Sequence, residues 1–488
     1  MESKIKDYAA KSAVITGLGA GLYPLFFYYS NNYALINSWN HLGFFIVFFL
    51  VSPVVFFLIC HFIFKIKRLK PWREKAFTFF NVTAFLNFIA LCLYAGIKWS
   101  LVFGAVVIGV IAALFLSKFL KKIVLLQLVL AFINLFWLVP TIYEQLNYND
   151  SWTQQPDDIE SVVFKKTPNV YYIQPDGYLN FSEQYKGNYQ LATNPLELYL
   201  KENQFTHYPN VRSNYTSTVI SNAATFMMKH HYYNYGFNFT EITNGRQIVM
   251  GENPVIDIFK KNGYKTHFVS ETPYLMANKP KIGYDRSNFN KKNINYITKG
   301  FDGKQNVLDS LQRYLKEEPT KKKFFFIQIF KPGHVSSKLS DSEGPAADKQ
   351  RWLQNLDISN RQQKEIIDTI LAQDPNALIM IMADHGGYLG WDHMMGIRSK
   401  TQDRDQLYSA FSTNLAIHWP DNQQPDFDDR FKSGVNVFRI LFSYLGENTQ
   451  YLESIQDDGS YTIIEHGAPK GIYKVIDGDG SISFNKVE

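Results

Sequence analysis

Five long apolar stretches in the first third of the chain constrain its fold more than any other feature. A helix needs about 20 apolar residues to cross a hydrocarbon core of roughly 30 Å. Stretches close to this length occupy residues 12–29, 41–64, 76–97, 99–117 and 123–143, and a single residue separates the third from the fourth. The sequence therefore predicts a transmembrane domain of five helices over residues 1–143.

The distribution of charge predicts the orientation of these helices. Residues 1–150 carry 13 basic against 5 acidic residues, and the remaining residues carry 37 against 39. The basic residues lie before the first stretch and in the second and fourth loops, whereas the first loop, residues 30–40, is uncharged. Since basic loops stay in the cytoplasm, we expect everything after residue 143 to face outward. A basic excess confined to short loops also argues against a nucleic-acid partner.

The role of the predicted helices stays open between two interpretations. They could serve only as an anchor, or they could shape an entrance for a lipid substrate. The polar residues His41, His61 and Asn81 within the apolar stretches do not decide between them. Such residues more often form hydrogen bonds with neighbouring helices than bind a ligand. Paired intramembrane charges, which a transporter would need, do not occur in these stretches.

The remainder of the chain has the pattern of an α/β domain. Residues 144–166 are mostly polar and predict a linker or an interfacial segment. From residue 167 to 488, short β-branched and aromatic runs alternate with longer helical segments, which predicts a mainly parallel sheet covered on both faces. Polar residues follow three of these runs at positions where ligand sites of open α/β sheets lie. They are Asp176, His334, Asp384 and His385.

Two of these strand ends could supply metal ligands. The adjacent pair Asp384 and His385 offers one oxygen and one nitrogen ligand before two glycines, a combination that suits Zn²⁺ or Mn²⁺. Asp176 would add a third protein ligand. The alternative is a capping aspartate beside a surface histidine. A cysteine-based site is excluded, because Cys60 and Cys92 both lie inside apolar stretches.

A hydroxyl-rich segment at residues 212–226 could supply a nucleophile. Its apolar second half predicts the start of a helix, where a phosphorylated hydroxyl is stabilised by the helix dipole. The alternative is ordinary N-capping by serine or threonine.

Three motifs together resemble a known family. They are Val170–Tyr178 with its Pro-Asp-Gly-Tyr, the Ser-Asn-Tyr-x-x-Thr-x-x-Ser run of residues 213–221, and Ala-Asp-His-Gly at residues 383–386. In combination they resemble the sulfatase-like branch of the alkaline phosphatase superfamily. Five spans followed by such a domain are similar to the arrangement in lipoteichoic acid synthases and lipid A phosphoethanolamine transferases.

The resemblance implies specific roles for residues of this chain. One divalent metal, Zn²⁺ or Mn²⁺, would be held by Asp176, Thr218, Asp384 and His385. Thr218 would be the nucleophile and would carry a phosphothreonine intermediate, with Thr216 as the alternative position.

Two histidines complete the implied set. His334 would contact the phosphate or protonate the leaving oxygen, and His393 resembles a later active-site histidine of the family.

The implied activity is a metal-dependent phosphotransferase in a bacterial cytoplasmic (inner) membrane, with its catalytic domain facing the periplasm or exterior. It would move a phosphoglycerol or phosphoethanolamine head group from a phospholipid donor to an envelope glycan or lipid acceptor. One departure narrows the reaction class: the Cys/Ser-x-Pro-x-Arg signature that sulfatases convert to formylglycine is absent at residues 213–221. The alternatives are a membrane-bound phosphodiesterase or phosphatase using the same site, and a non-enzymatic binding domain.

Overall fold

The computed structural model describes residues 2–233, 242–318 and 322–487. The chain divides into two compact units. The first contains the chain up to Tyr148 together with the short segments Ala277–Lys279 and Ile294–Gly300. The second contains Asn149–Met276, Pro280–Asn293 and Phe301–Glu488.

The first unit is helical. Its helices are α1 (Glu2–Ile36), α2 (Trp39–Phe45), α3 (Ser52–Ile63), α4 (Arg73–Tyr94), α5 (Trp99–Phe115) and α6 (Leu120–Leu146). A π-helical turn, Ile46–Val51, joins α2 to α3. Among the residues that the structure describes, three continuous helical stretches are long and apolar enough to cross a membrane: Trp39–Ile63, Lys70–Tyr94 and Ser117–Leu146. The apolar helix α5 is shorter, and the first predicted span lies within α1, so five spans remain a prediction.

Small and polar residues fit the helices of this unit together. A Cβ on Gly21 of α1 would lie 1.6 Å from the carbonyl oxygen of Phe49, so only glycine allows this approach. Asn81 of α4 and Gln127 of α6 are buried and exchange two hydrogen bonds, of 2.9 and 3.1 Å. Asn81 thus forms hydrogen bonds with a neighbouring helix, which is the structural role expected for a polar residue inside an apolar helix.

The second unit contains the predicted mainly parallel sheet, which confirms the fold class. Within the described residues its strands are β1 (Val170–Pro175), β2 (Thr206–His207), β3 (Lys265–Ser270), β4 (Arg286–Ser287), β5 (Lys323–Ile329), β6 (Leu378–Met382) and β7 (Leu415–His418). They lie in the order β2-β7-β6-β1-β5-β3-β4, and β6, β1, β5, β3 and β4 run parallel. The strand β7 runs in the opposite direction and pairs antiparallel with both β6 and β2.

Helices pack against both faces of this sheet, as the alternating side chains of β1 show. Tyr171 belongs to a buried cluster with residues of the helices Val307–Glu317 and Pro345–Gln373. Tyr172 instead contacts Phe226 and Phe438, which lie on two helices at the other face. The central strands are buried along their whole length, which explains their continuous apolar sequence. The helices of this unit are α7 (Phe181–Gln184), α8 (Pro195–Glu202), α9 (Thr218–Met227), α10 (Gly245–Met250), α11 (Pro254–Lys261), α12 (Val307–Glu317), α13 (Pro345–Gln373), α14 (Arg404–Phe411) and α15 (Val437–Gly446).

Two further segments complete the second unit. A small antiparallel sheet has the order β10-β9-β8 and consists of β8 (Ser460–Ile464), β9 (Gly471–Ile476) and β10 (Ile482–Val487). The polar segment after Asn149 also belongs to the second unit. Its Asp157 forms a 2.6 Å ion pair with the fully buried Arg439.

Candidate metal and phosphoryl-transfer site

The site begins at the carboxyl ends of two adjacent strands. Asp176 follows β1, and Asp384 and His385 follow β6, which pairs with β1 in parallel register. Parallel neighbours end at the same edge of the sheet, so the three side chains meet there. One ligand atom from each lies within 4.8 Å of the others, a separation that could hold a metal ion.

Thr218 joins this group from the first turn of α9. Ser217 is the N-cap residue in extended conformation, and Thr218 is the first helical residue. The Thr218 hydroxyl donates a hydrogen bond of 3.3 Å to Oδ1 of Asp176. The predicted nucleophile and three predicted ligands are therefore brought together.

Thr216, the alternative nucleophile, has different partners. Its hydroxyl lies 3.2 Å from the hydroxyl of Tyr233, and its carbonyl oxygen accepts a 2.5 Å hydrogen bond from the hydroxyl of Tyr388. Both threonines line the same cavity, but the hydroxyl of Thr218 is the one bonded to Asp176.

The electrostatics of the cluster favour a bound cation. Burial raises the pKa of Asp176 and raises that of Asp384 to about 6. Burial opposes protonation of His385, but the neighbouring carboxylates Asp384 and Asp176 raise its pKa above the usual value. Two buried carboxylates this close together repel one another, and a positive charge between them removes that repulsion.

Unsatisfied atoms in the cluster test whether a metal fits. His385 Nδ1 donates to the carbonyl oxygen of Gly386 at 2.9 Å, which leaves Nε2 as the free ligand nitrogen. Within the described part of the chain, His385 Nε2 and Asp384 Oδ2 are buried and have no hydrogen-bond partner. Nε2 lies 3.4 Å from Asp176 Oδ1 and 3.5 Å from Asp384 Oδ2. This oxygen and nitrogen donor set suits a divalent ion such as Zn²⁺ or Mn²⁺.

The two remaining predicted histidines differ in their position. His334 lies in the loop after β5, and its ring centroid is 5.6 Å from that of His385. Burial, with a smaller effect of His385, lowers the pKa of His334 to about 4, so its imidazole is neutral at physiological pH. His393 precedes the 3-10 turn Met394–Arg398 and does not line the cavity, although its neighbours Met394 and Met395 do.

The site opens into a cavity of about 560 Å³ that contains residues beyond those predicted. Glu271 follows β3, and its carboxylate accepts hydrogen bonds of 2.7 Å from Phe330 N and Gln362 Nε2. The position of Glu271 after a strand could have identified it, because Asp176 shares that position. No local sequence signal indicates the other lining residues, among them Tyr233, Lys304, Tyr388 and Arg398.

Comparison with known proteins identifies the family. The family model described as Sulfatase matches residues 177–447, more than half of the chain. A search of curated proteins found no match to the chain.

Solved structures to which the chain is similar include those of an EptC domain, an EptA protein and a putative sulfatase. The C-terminal periplasmic domain of EptC from Escherichia coli is 15% identical, with a TM-score of 0.42 over 69% of this chain and 96% of that one. Lipooligosaccharide phosphoethanolamine transferase A (EptA) from Neisseria meningitidis is 14% identical, with a TM-score of 0.44 over 89% and 95%. A putative sulfatase from Bacteroides thetaiotaomicron is 12% identical, with a TM-score of 0.41 over 62% and 79%. The family match confirms the resemblance predicted from the three motifs, and the chain belongs to the sulfatase family.

Proposed function

We propose that this protein is a membrane-bound, metal-dependent transferase. It moves a phosphoglycerol or phosphoethanolamine head group from a phospholipid, through a phosphothreonine at Thr218, to a hydroxyl of an envelope glycan or lipid. The observation that carries the proposal is the hydrogen bond of Thr218 to Asp176, next to Asp384 and His385.

Four residues would hold the metal: Asp176, Thr218, Asp384 and His385. A divalent ion there supplies Lewis-acid stabilisation of charge on the transferred phosphoryl group. Zn²⁺ and Mn²⁺ both suit the donor set.

The side chains support a two-step exchange. In the first step the Thr218 oxygen would bond to phosphorus as the bond from phosphorus to the diacylglycerol oxygen breaks, and the threonine proton would pass to Asp176, which accepts the hydrogen bond of that hydroxyl, and from there to the departing oxygen. The departing diacylglycerol oxygen takes one proton and leaves as an alcohol. In the second step an acceptor hydroxyl attacks the phosphothreonine, and its proton restores the Thr218 hydroxyl. His334, whose neutral imidazole has its centroid 5.6 Å from that of His385, would bind the phosphoryl oxygens or the leaving oxygen.

Two features of the chain favour transfer of a phosphoryl group over sulfate-ester hydrolysis. The nucleophile position is threonine, and the only cysteines, Cys60 and Cys92, are in apolar stretches, so no cysteine can become formylglycine at the site. The apolar helices retain the protein at a lipid surface, where a phospholipid donor is concentrated.

The fate of a labelled head group tests the proposal. Full-length protein in membranes is incubated with phospholipid radiolabelled in its head group, first without and then with isolated envelope acceptor. We expect label on the Thr218 peptide in the first case and on the acceptor in the second. Label found only in a water-soluble product identifies a hydrolase, and label on neither protein nor product refutes the proposal.

A further inference from the structure

The cavity of about 560 Å³ at the metal cluster, which we call the catalytic cavity, contains a carboxylate outside that cluster. Among the described residues that line it, Glu271 is the one carboxylate besides Asp176. Ser270, just before Glu271, pairs with Gln328 of β5, which in turn pairs with Gln174 of β1. Two strand spacings, roughly 10 Å in all, thus separate the Glu271 backbone from that of β1. The two carboxylates therefore lie on one cavity wall at the same edge of the sheet.

The negative charge of Glu271 is fixed in position without a counter-ion. Its carboxylate accepts hydrogen bonds of 2.7 Å from the backbone amide of Phe330 and from Nε2 of Gln362, which are both neutral donors. In the described ranges, Glu271 forms no ion pair. A carboxylate can accept about four hydrogen bonds, so positions remain open for a ligand in the cavity.

Two buried oxygen atoms beside Glu271 also lack a partner. Thr272 is 1% exposed and lines the same cavity, and its hydroxyl makes no hydrogen bond to any described residue. Gln362 turns its Nε2 toward Glu271, which leaves its Oε1 buried and equally unpartnered. The opposite orientation of this amide would place its oxygen against the carboxylate. All these oxygen atoms can accept, so a group with several donors and a positive charge fits beside them.

The charges in the rest of the lining suit a phosphate close to this position. Arg398 lines the cavity and pairs with Glu465 at 3.2 Å. The lining thus carries charges of both signs, as a zwitterionic head group requires. The hydroxyls of a glycerol group could donate as well, but they would leave the Glu271 charge without a counter-ion. Three lysines of the lining are exposed or half-buried: Lys304, Lys331 and Lys338.

Aromatic rings border Glu271 in the catalytic cavity. Tyr274 and Phe301 stack with ring centroids 5.0 Å apart, and the ring of Phe330 lies 5.7 Å from each of them. All three residues line the cavity, and the backbone of Phe330 is bonded to the Glu271 carboxylate. Opposite charges attract more strongly where apolar groups replace water. An ammonium group therefore gains more at Glu271 than at a fully exposed carboxylate.

We propose that Glu271 and Thr272 bind the primary ammonium group of the transferred head group. The ammonium pairs with the Glu271 carboxylate and donates to the Thr272 oxygen, while the phosphate of the same head group lies beside Thr218. This assignment rests on the function proposed above and selects between its two head groups. The transferred group is phosphoethanolamine, and phosphoglycerol is disfavoured because it lacks the positive charge.

Formation of the phosphothreonine without acceptor tests this assignment, because that step involves the donor lipid alone. Full-length protein in membranes is incubated with phosphatidylethanolamine or phosphatidylglycerol, each radiolabelled in its head group, and the rate of labelling of the Thr218 peptide is measured. We expect phosphatidylethanolamine to react at least about tenfold faster. Glu271→Gln should slow its reaction by about tenfold or more and change that of phosphatidylglycerol by less than about threefold. Thr272→Val should slow phosphatidylethanolamine alone, by about threefold.

Glu343→Gln is the matched control. Glu343 is an exposed carboxylate in the loop after β5 and does not line the cavity, so both lipids should react at wild-type rates. Thermal unfolding of each variant checks that it is folded. If Glu271→Gln does not fold, the preference of the wild type together with Thr272→Val decides, because valine keeps the shape of threonine and removes only the hydroxyl.

The outcomes separate this site from the proposed function. Equal rates for the two lipids, a faster reaction of phosphatidylglycerol, or an equal loss with both lipids in Glu271→Gln would overturn the ammonium site and leave the transferase function standing. A loss in Glu271→Gln that appears only after acceptor is added would place the ammonium on the acceptor and overturn the assignment. No label from either lipid would refute the function and the site together.

Discussion

The backbone of Gly177 lies directly against the carbonyl group of Gly333. A Cβ on Gly177 would be 2.1 Å from the Gly333 oxygen, and Gly177 has φ of +65°. Gly333 N in turn donates to the Asp176 carbonyl oxygen at 2.9 Å. This contact joins the loop that carries Asp176 to the loop that carries His334.

We predict that Gly177→Ala separates these two loops. The added methyl group would clash with a backbone carbonyl that cannot shift without distorting its loop, and the left-handed φ adds strain. Together these effects should lower stability by about 2–4 kcal/mol. Urea unfolding measures the loss, and metal content measures the disturbance of Asp176. Gly303→Ala is the matched control, because Gly303 has a similar φ of +71° but no atom within 4 Å of the added Cβ, so it should cost about 1 kcal/mol or less.

Removing the Thr218 hydroxyl should abolish transfer. Thr218→Ala eliminates the oxygen that we propose bonds to phosphorus, so the rate of head-group transfer should fall by roughly 10³-fold or more with little change in stability. Thr216→Ala should stay within about tenfold of wild type, because its hydroxyl contacts Tyr233 and not the metal cluster. A greater loss in Thr216→Ala than in Thr218→Ala would reverse the assignment.

Metal addition should stabilise the protein through the buried carboxylates. Stripping with a chelator and adding Zn²⁺ or Mn²⁺ at 100 times its Kd should raise stability by about 2.7 kcal/mol and raise Tm accordingly. Asp384→Asn should lose both the bound metal, measured by mass spectrometry, and the rise in Tm. Asp392→Asn removes an exposed carboxylate nearby and should retain both. Full metal content in Asp384→Asn would exclude this cluster as the binding site.

The ion pairs of Glu318 should make stability depend on acid pH. Burial opposes its ionisation, but Lys265, Arg286 and His267 outweigh burial and lower the pKa of Glu318 to about 2. A lowered folded-state pKa gives stability that is present above about 4.5 and is lost as pH falls toward 2. Glu318→Gln should therefore cost about 2 kcal/mol at pH 7.

The difference between wild type and Glu318→Gln should shrink between about pH 5 and pH 2, measured by urea unfolding at each pH. Glu317→Gln, next to it and more exposed, should show a smaller effect because, within the described ranges, Glu317 forms an ion pair only with Arg286. A difference between Glu318→Gln and wild type that does not change with pH would contradict the pKa assignment.

Tyr388 should act as a positioning residue for the threonine segment. Its hydroxyl holds the Thr216 carbonyl at 2.5 Å, two residues before Thr218. Tyr388→Phe should lower kcat by about threefold to thirtyfold with KM and metal content nearly unchanged, because the ring and the metal ligands stay in place. Tyr189→Phe removes a neighbouring buried hydroxyl that bonds Ser409 and the backbone amide of Leu389 but not the Thr216 segment, and it should leave kcat close to wild type. Equal kcat values in wild type and Tyr388→Phe would show that the hydrogen bond positions nothing.

Much of the site could be predicted because its signals are local. A buried apolar strand followed by Asp176, or by Asp384 and His385, indicates a ligand position from a few neighbouring residues alone. The apolar stretches are equally local, although the number of spans and the role of His393 remain predictions. The choice between Thr216 and Thr218 as nucleophile remains a prediction. The structure adds only their partners, because the Thr218 hydroxyl bonds Asp176 and the Thr216 hydroxyl lies against that of Tyr233.

The sequence by itself determined the fold class, the apolar helices and the residues at the strand ends, because hydrophobic periodicity and polar residues at strand ends act over a few residues. Only the tertiary structure brought Tyr388 to Thr216, Glu271 to Phe330 and Gly177 to Gly333. These contacts join residues of different strands and loops. They depend on sheet register and burial, which no short segment of sequence specifies.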